Sequence, residues 1–224
     1  MNKQQSGFTL VEIAIVLVII GLLLGGVLKG QELINSAKVK NFATDFRNIP
    51  LFIYGYQDKY KALPGDQAQA ALDVQFPPAN TATQCTPVAA GLCARGNGVL
   101  NGTWNAAGVT DESFLFWQHV RLANLAAGPT ATGDATYVPR NADGGIIGIQ
   151  SAAVPYILNM TGTYMICSDA ILGKFAKQLD TTIDDGNTAT GSLRSVPTGS
   201  AVATAATATA AINDALSYTV CLTF

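Results

Sequence analysis

The sequence is poor in the side chains that most chemistry needs: among 224 residues there is a single histidine, His119, and only 12% are charged. Any Ser/His/Asp arrangement or histidine-based metal cluster would have to run through that one ring, which disfavours hydrolytic and zinc enzymes. Charge of either sign is scarce as well. Lys+Arg 13 against Asp+Glu 15 leaves a formal net charge of -2, so there is no long-range positive field, and neither nucleic acid nor an anionic lipid surface is indicated as a partner. A P-loop, a dinucleotide fingerprint and the twelve-residue EF-hand spacing are all missing, and the sequence implies no cofactor. Asp66, Asn97, Asn101, Asp111, Asp184 and Asp185 supply hard oxygen atoms, but Asp184-Asp185-Gly186 reads as a turn, and no metal is assigned.

What the chain has is apolar residues, 49% of the total, and they are unevenly placed. The 21 residues from Phe8 to Leu28 contain one charge, Glu12. At ~1.5 Å per residue such a run spans ~30 Å, the hydrocarbon thickness of a bilayer. A cleaved secretory signal would have a shorter apolar region ending in small residues of the A-x-A kind, and Gly25-Gly26-Val27-Leu28-Lys29-Gly30 offers no such site. The preceding Met1-Asn2-Lys3-Gln4-Gln5-Ser6-Gly7 is short and polar, with Lys3 on the side expected to stay cytoplasmic.

Gly7-Phe8-Thr9-Leu10-Val11-Glu12 then opens the helix, and here the sequence resembles the type IV pilin family, including type II secretion pseudopilins and minor pilins. The resemblance implies that a prepilin peptidase cuts after Gly7, that Phe8 becomes a methylated N-terminus, and that Glu12 is the glutamate at the fifth mature position. It further implies a structural subunit and not an enzyme. Such a subunit is stored in the inner membrane with its head in the periplasm, then packed by an assembly platform with other pilins and its own copies into a filament. A membrane-anchored periplasmic binding module or enzyme is the competing class. Many type IVa pilins have a proline near the position of Lys29; this chain has Gly21, Gly25, Gly26 and Gly30 in the segment instead.

Glu12 has its own physical problem, because a carboxylate in the apolar part of a membrane costs ~2.5–3.5 kcal/mol on insertion scales. After cleavage the Phe8 amine of a neighbouring copy lies at the same depth and can neutralise it, which sets an axial register; the alternative is a glutamate solvated at headgroup level. Gly21 and Gly25 have the small-xxx-small spacing that lets helices approach closely in lipid.

The helical pattern continues beyond the apolar run. Val39, Phe42, Phe46, Ile49, Ile53, Tyr56 and Tyr60 recur at intervals of three and four and draw one stripe down a helix, which is expected from near Thr9 to near Lys61, with a kink at Pro50. The fold class expected is α+β: a long N-terminal helix, half membrane-spanning and half amphipathic, packed on an antiparallel sheet in a pilin-like head. The organisation is a leader over 1–7, a transmembrane and assembly segment over 8–30, the amphipathic half over 31–62, and a head over 63–224.

Within the head, Leu63-Pro64-Gly65-Asp66 is a turn signature, with Asp66 placed to cap a short helix. Residues 73–109 read as a long excursion outside the packed structure. Thr110-Asp111-Glu112 opens a second, amphipathic helix reaching Leu125, on which His119 is expected at the surface or an interface. Leu63-Pro64-Gly65-Asp66, Gly96-Asn97-Gly98 and Phe116-Trp117-Gln118-His119, in that order, also resemble a large-headed subgroup of pilin-like proteins. Strands are expected at Ile146–Gln150, Val154–Leu158, Thr163–Cys167, Leu193–Val196 and Leu216–Leu222, with a helix capped by Ser168-Asp169. Residues 198–211, eleven of fourteen being Ala or Thr, read as a mobile loop.

Four cysteines in an exported chain normally pair. A local Cys85–Cys93 bridge is the default, which leaves Cys167 and Cys221 to close the C-terminal region, as type IV pilins similarly do. A single sequence leaves the crossed pairings open.

Overall fold

The computed structural model describes residues 9–224. Gly7 and Phe8, the expected processing and methylation positions, lie outside the described residues. The chain divides into two compact units at Lys38/Val39. One helix, α1 (Leu10–Tyr60), contributes to both and runs through Pro50.

In the first unit every described residue up to Lys29 is exposed. An 18-residue window of this part of α1 has a mean hydropathy of 2.8 and no buried residue. By length and composition this part of α1 is able to cross a membrane.

In the second unit α1 buries Val39, Phe42, Phe46, Ile49, Ile53 and Tyr56, the stripe expected from the period. The other elements are α2 (Gln69–Gln75), α3 (Glu112–Leu122), β1 (Ile147–Ser151), β2 (Tyr164–Leu172), α4 (Gly173–Ile183), β3 (Leu193–Pro197) and β4 (Ser217–Thr223). The strands form one antiparallel sheet in the order β1-β2-β4-β3. Alternation along the strands sends Ile147, Ile149, Ile166, Leu193 and Val220 into a core shared with Phe42, Phe46, Phe116, Phe175 and Leu179. The opposite face sends Met165, Cys167, Val196 and Cys221 into a smaller core with Trp104, Tyr156 and Ile157.

Several sequence expectations are corrected. Val154–Leu158 is not a strand: it turns twice, buries Ile157 and forms one bridge to Thr204. Ser168 and Asp169 cap no helix, because β2 continues through them to Leu172 past an irregularity in its pairing with β4. The 73–109 excursion is packed, with Ala82, Cys85, Cys93, Leu100 and Trp104 buried. That packing makes α3 buried on all sides from Glu112 to Arg121, not amphipathic, and α3 ends at Leu122, short of Leu125. The Ala/Thr-rich 198–211 segment is tied down by main-chain bonds, Ala203 N–H to Tyr156 O at 2.9 Å and Thr207 N–H to Ser195 O at 2.8 Å.

Candidate functional site

The first turn of α1 holds Glu12. The Thr9 main-chain N–H and hydroxyl both donate to Glu12 Oε2, at 2.8 and 2.7 Å, while the Glu12 N–H reaches back to Thr9 Oγ1 at 3.3 Å. This is a reciprocal capping box, Thr at the cap and Glu three residues on, which satisfies donors the helix end leaves free. The Thr9-Leu10-Val11-Glu12 spacing carries that signal in the sequence, so Glu12 has a partner within its own chain. Among the described residues Glu12 Oε1 accepts no hydrogen bond, so one carboxylate oxygen is held and one is presented.

In the head, three separated sequence motifs meet. The Asp66 carboxylate accepts the N–H groups of Gly96 at 2.5 Å, Asn97 at 3.2 Å and Gly98 at 2.8 Å, and so anchors a loop thirty residues away instead of capping α2. Burial raises its pKa, against the three donors that lower it. Gly65, with φ of +96°, lets the turn lie against the Glu112 carbonyl, where a Cβ would collide. Its N–H donates to His119 Nδ1 at 2.8 Å, and His119 Nε2 lies 3.0 Å from the Thr83 carbonyl oxygen.

His119 is therefore not a surface side chain. It is fully buried, stacked on Tyr56 at 6.4 Å, and spends both ring nitrogens on backbone groups. A bonded N–H at Nδ1 requires the neutral tautomer with its proton on Nε2, and burial pushes the pKa down to about 4. A ring so occupied holds the turn, the loop and α3 together and offers no base to a substrate. The signal that could have placed it inside is its position on α3 between Phe116, Trp117 and Val120.

Glu112, also fully buried, receives the N–H groups of Ala94 at 2.7 Å and Asn101 at 2.8 Å, and burial raises its pKa to about 7. It lies with Cys85 and Cys93 in a cluster whose ligand atoms are within 4.8 Å of one another. The two sulfurs are joined in a disulfide, so one carboxylate remains there for a metal. The other candidate oxygens act as turn and loop acceptors: Asp184 from Leu193 N–H, Asp185 from Asn187 N–H and Thr190 Oγ1, and Asn101 from the Asn97 side-chain amide. Asp111 accepts from Thr110 Oγ1 and Thr103 N–H.

The second disulfide joins Cys167 and Cys221. They are direct cross-strand partners on β2 and β4 with Cα atoms 4.1 Å apart, so the bridge ties the two central strands together on the face of the smaller core.

Residues 2–28 match the family model described as the prokaryotic N-terminal methylation motif, which is the prepilin signal of type IV pilins and pseudopilins. Comparison of the whole chain with curated proteins and with solved structures gave no match.

Proposed function

We propose that this protein is the precursor of a filament subunit, in a type IV pilus or a type II secretion pseudopilus. In this reading residues 1–7 are a leader and the 8–30 segment spans the inner membrane, with the 31–62 half of the helix leading to a periplasmic head over 63–224. A prepilin peptidase cuts after Gly7 and methylates Phe8, and an assembly platform extracts the subunit into a homo-oligomeric filament with other pilins. The observation that carries this is the methylation motif over residues 2–28, together with an α1 whose apolar first part is exposed throughout. An anchored enzyme would need a catalytic constellation, and the one histidine is committed to the backbone.

Glu12 is the proposed assembly residue. Its Oε2 is held by Thr9, which orients Oε1 for the Phe8 amine of an adjacent copy and relieves a charge otherwise costing ~2.5–3.5 kcal/mol in lipid. Apolar contacts alone do not distinguish one axial offset from another, whereas an ion pair does. The test is Glu12→Leu, followed by membrane content, N-terminal processing and the yield of sheared filaments. Insertion and cleavage at Gly7 are expected to persist, because the new N-terminus at Phe8 is four residues from Glu12 and a buried charge has been removed, while filament yield falls. Normal filament yield from Glu12→Leu would contradict the assignment.

A further inference from the structure

In the second unit a cavity of about 140 Å³ opens on one flank of α1, between Asp45, Ile49, Phe52, Trp117, Ala126 and Pro139. Among the described residues Asp45 is the one acid on its lining. The residue is half-buried, and its carboxylate accepts no hydrogen bond and joins no ion pair among the described residues. Burial alone pushes its pKa up to about 6. Arg121 lines the same cavity without pairing with it, because the guanidinium is spent on the carbonyl oxygens of Ala127 at 3.2 Å, Pro129 at 2.9 Å and Tyr137 at 2.7 Å. A carboxylate taken partly out of water with nothing opposite it is a cost to the isolated subunit.

Size and charge decide what stands opposite it. The cavity is smaller than the ~300–1,000 Å³ of small-molecule sites and fits one side chain. A hard metal ion takes ~6–8 oxygen ligands, whereas Asp45 and Asn48 are the lining residues with side-chain oxygens among the described residues. The complementary charge lies on the other flank of the same helix. Lys40 and Arg47 are both exposed, and neither forms an ion pair among the described residues. At ~100° per residue they lie ~140° and ~160° around α1 from Asp45, and the stripe of Phe42, Phe46 and Ile49 is buried between the two flanks. With acid and cation on different flanks, copies set side by side pair acid to cation, and the contact repeats from copy to copy instead of closing a two-fold dimer.

We infer that Asp45 of one copy receives the Lys40 ammonium of the next, in a lateral contact between their α1 helices. The inference rests on the filament reading above, whose register selects between the two cations. A copy displaced so that its Phe8 is level with Glu12 is shifted by four residues. Its Lys40 is then level with residue 44, ~1.5 Å along the axis from Asp45, while its Arg47 falls level with residue 51, ~9 Å beyond. The apolar walls of Phe52 and Trp117 suit the four-carbon stem of a lysine, whose head then meets the carboxylate. A charge unmatched in the single subunit is matched on assembly, which favours the register that Glu12 also favours.

The experiment is carbodiimide cross-linking of sheared filaments of the unaltered chain, followed by peptide mass spectrometry. The reagent condenses a carboxylate and an amine in contact into an amide with loss of water and leaves no spacer. Covalent dimers should contain a peptide joining Asp45 to Lys40, and detergent-dispersed monomer should give no such peptide. Lys40→Glu changes an exposed side chain, so the head keeps its fold, and filament yield should fall ~10-fold as like charges meet. Arg47→Gln should leave the yield unchanged, and Asp45→Lys combined with Lys40→Glu should restore it. Should the combined variant not fold, the cross-link and Lys40→Glu decide. Filaments in which Asp45 is joined to another amine or to none, or a normal yield from Lys40→Glu, overturn this contact and leave the filament reading standing. Absence of filaments from the unaltered protein overturns both.

Discussion

Lowering the pH should unclasp the head through one residue. His119 is neutral and fully buried, bonded from Gly65 N–H at Nδ1 and to Thr83 O at Nε2, with its pKa pushed down from 6.5 to about 4. Protonating Nδ1 breaks the Gly65 bond and places a charge in the core. The unfolded chain takes up this proton near pH 6.5 and the folded one only near 4, so the stabilisation is fully present above about pH 6.5 and is lost as pH falls toward 4. At ~1.36 kcal/mol per unit the difference is worth about 3 kcal/mol. Because His119 is the only histidine, its ring protons give one unambiguous NMR signal, which should stay in the neutral position until near pH 4. His119→Phe keeps the ring stacked on Tyr56 but leaves a buried N–H and a buried C=O unpaired, at a cost of ~2–4 kcal/mol at pH 7. Buried Glu112 and Asp180, with pKa values raised to about 7 and about 6, push stability the opposite way with pH. The informative quantity is therefore the difference between the His119→Phe and unaltered proteins in denaturant unfolding from pH 4 to 8, which should shrink as pH falls. A ring titrating near 6.5, or a difference independent of pH, would refute the reasoning.

Removing the Cys167–Cys221 bridge by double substitution to alanine opens a 54-residue interval and should lower stability by ~4 kcal/mol in the chain-entropy model, read as a shift in denaturation midpoint. Removing Cys85–Cys93, with a separation of 8, should cost ~2.5 kcal/mol by the same model, and the reverse order would contradict it. Asp180 is fully buried with neither carboxylate oxygen well bonded, and burial raises its pKa to about 6. Its charge thus weakens the fold as pH rises from about 4 to 6, so Asp180→Asn should stabilise the head by ~1 kcal/mol at pH 7 and not at pH 4. A destabilised Asp180→Asn protein at pH 7 would count against that sign.

The parts of this fold that are legible in the sequence are those governed by a period. The three-and-four spacing from Val39 to Tyr56 is the buried stripe of α1, and the β-branched runs around Ile147, Ile166, Leu193 and Val220 are the sheet core. What a period does not encode is contact at long range. Asp66 looked like a cap because Asp after Leu-Pro-Gly commonly is one; its carboxylate instead meets Gly96 and Gly98, a pairing no local rule contains. His119 and the polar 73–109 segment looked exposed for the same reason, since each hides the other. The bulge at Asp169 interrupts a strand whose composition suggested an end. At the candidate assembly site the capping box of Thr9 and Glu12 is legible in the local Thr-x-x-Glu spacing.

The intact mass of the protein recovered from membranes and from sheared filaments tests the proposed prepilin processing most directly. The expected product begins at Phe8 and carries one added methyl group, 217 residues long with Lys+Arg 12 once Lys3 is removed. Substitution of Gly7 should leave the full 224-residue precursor in the membrane. A mature protein that still begins at Met1, or one cut near Gly26, would contradict the account.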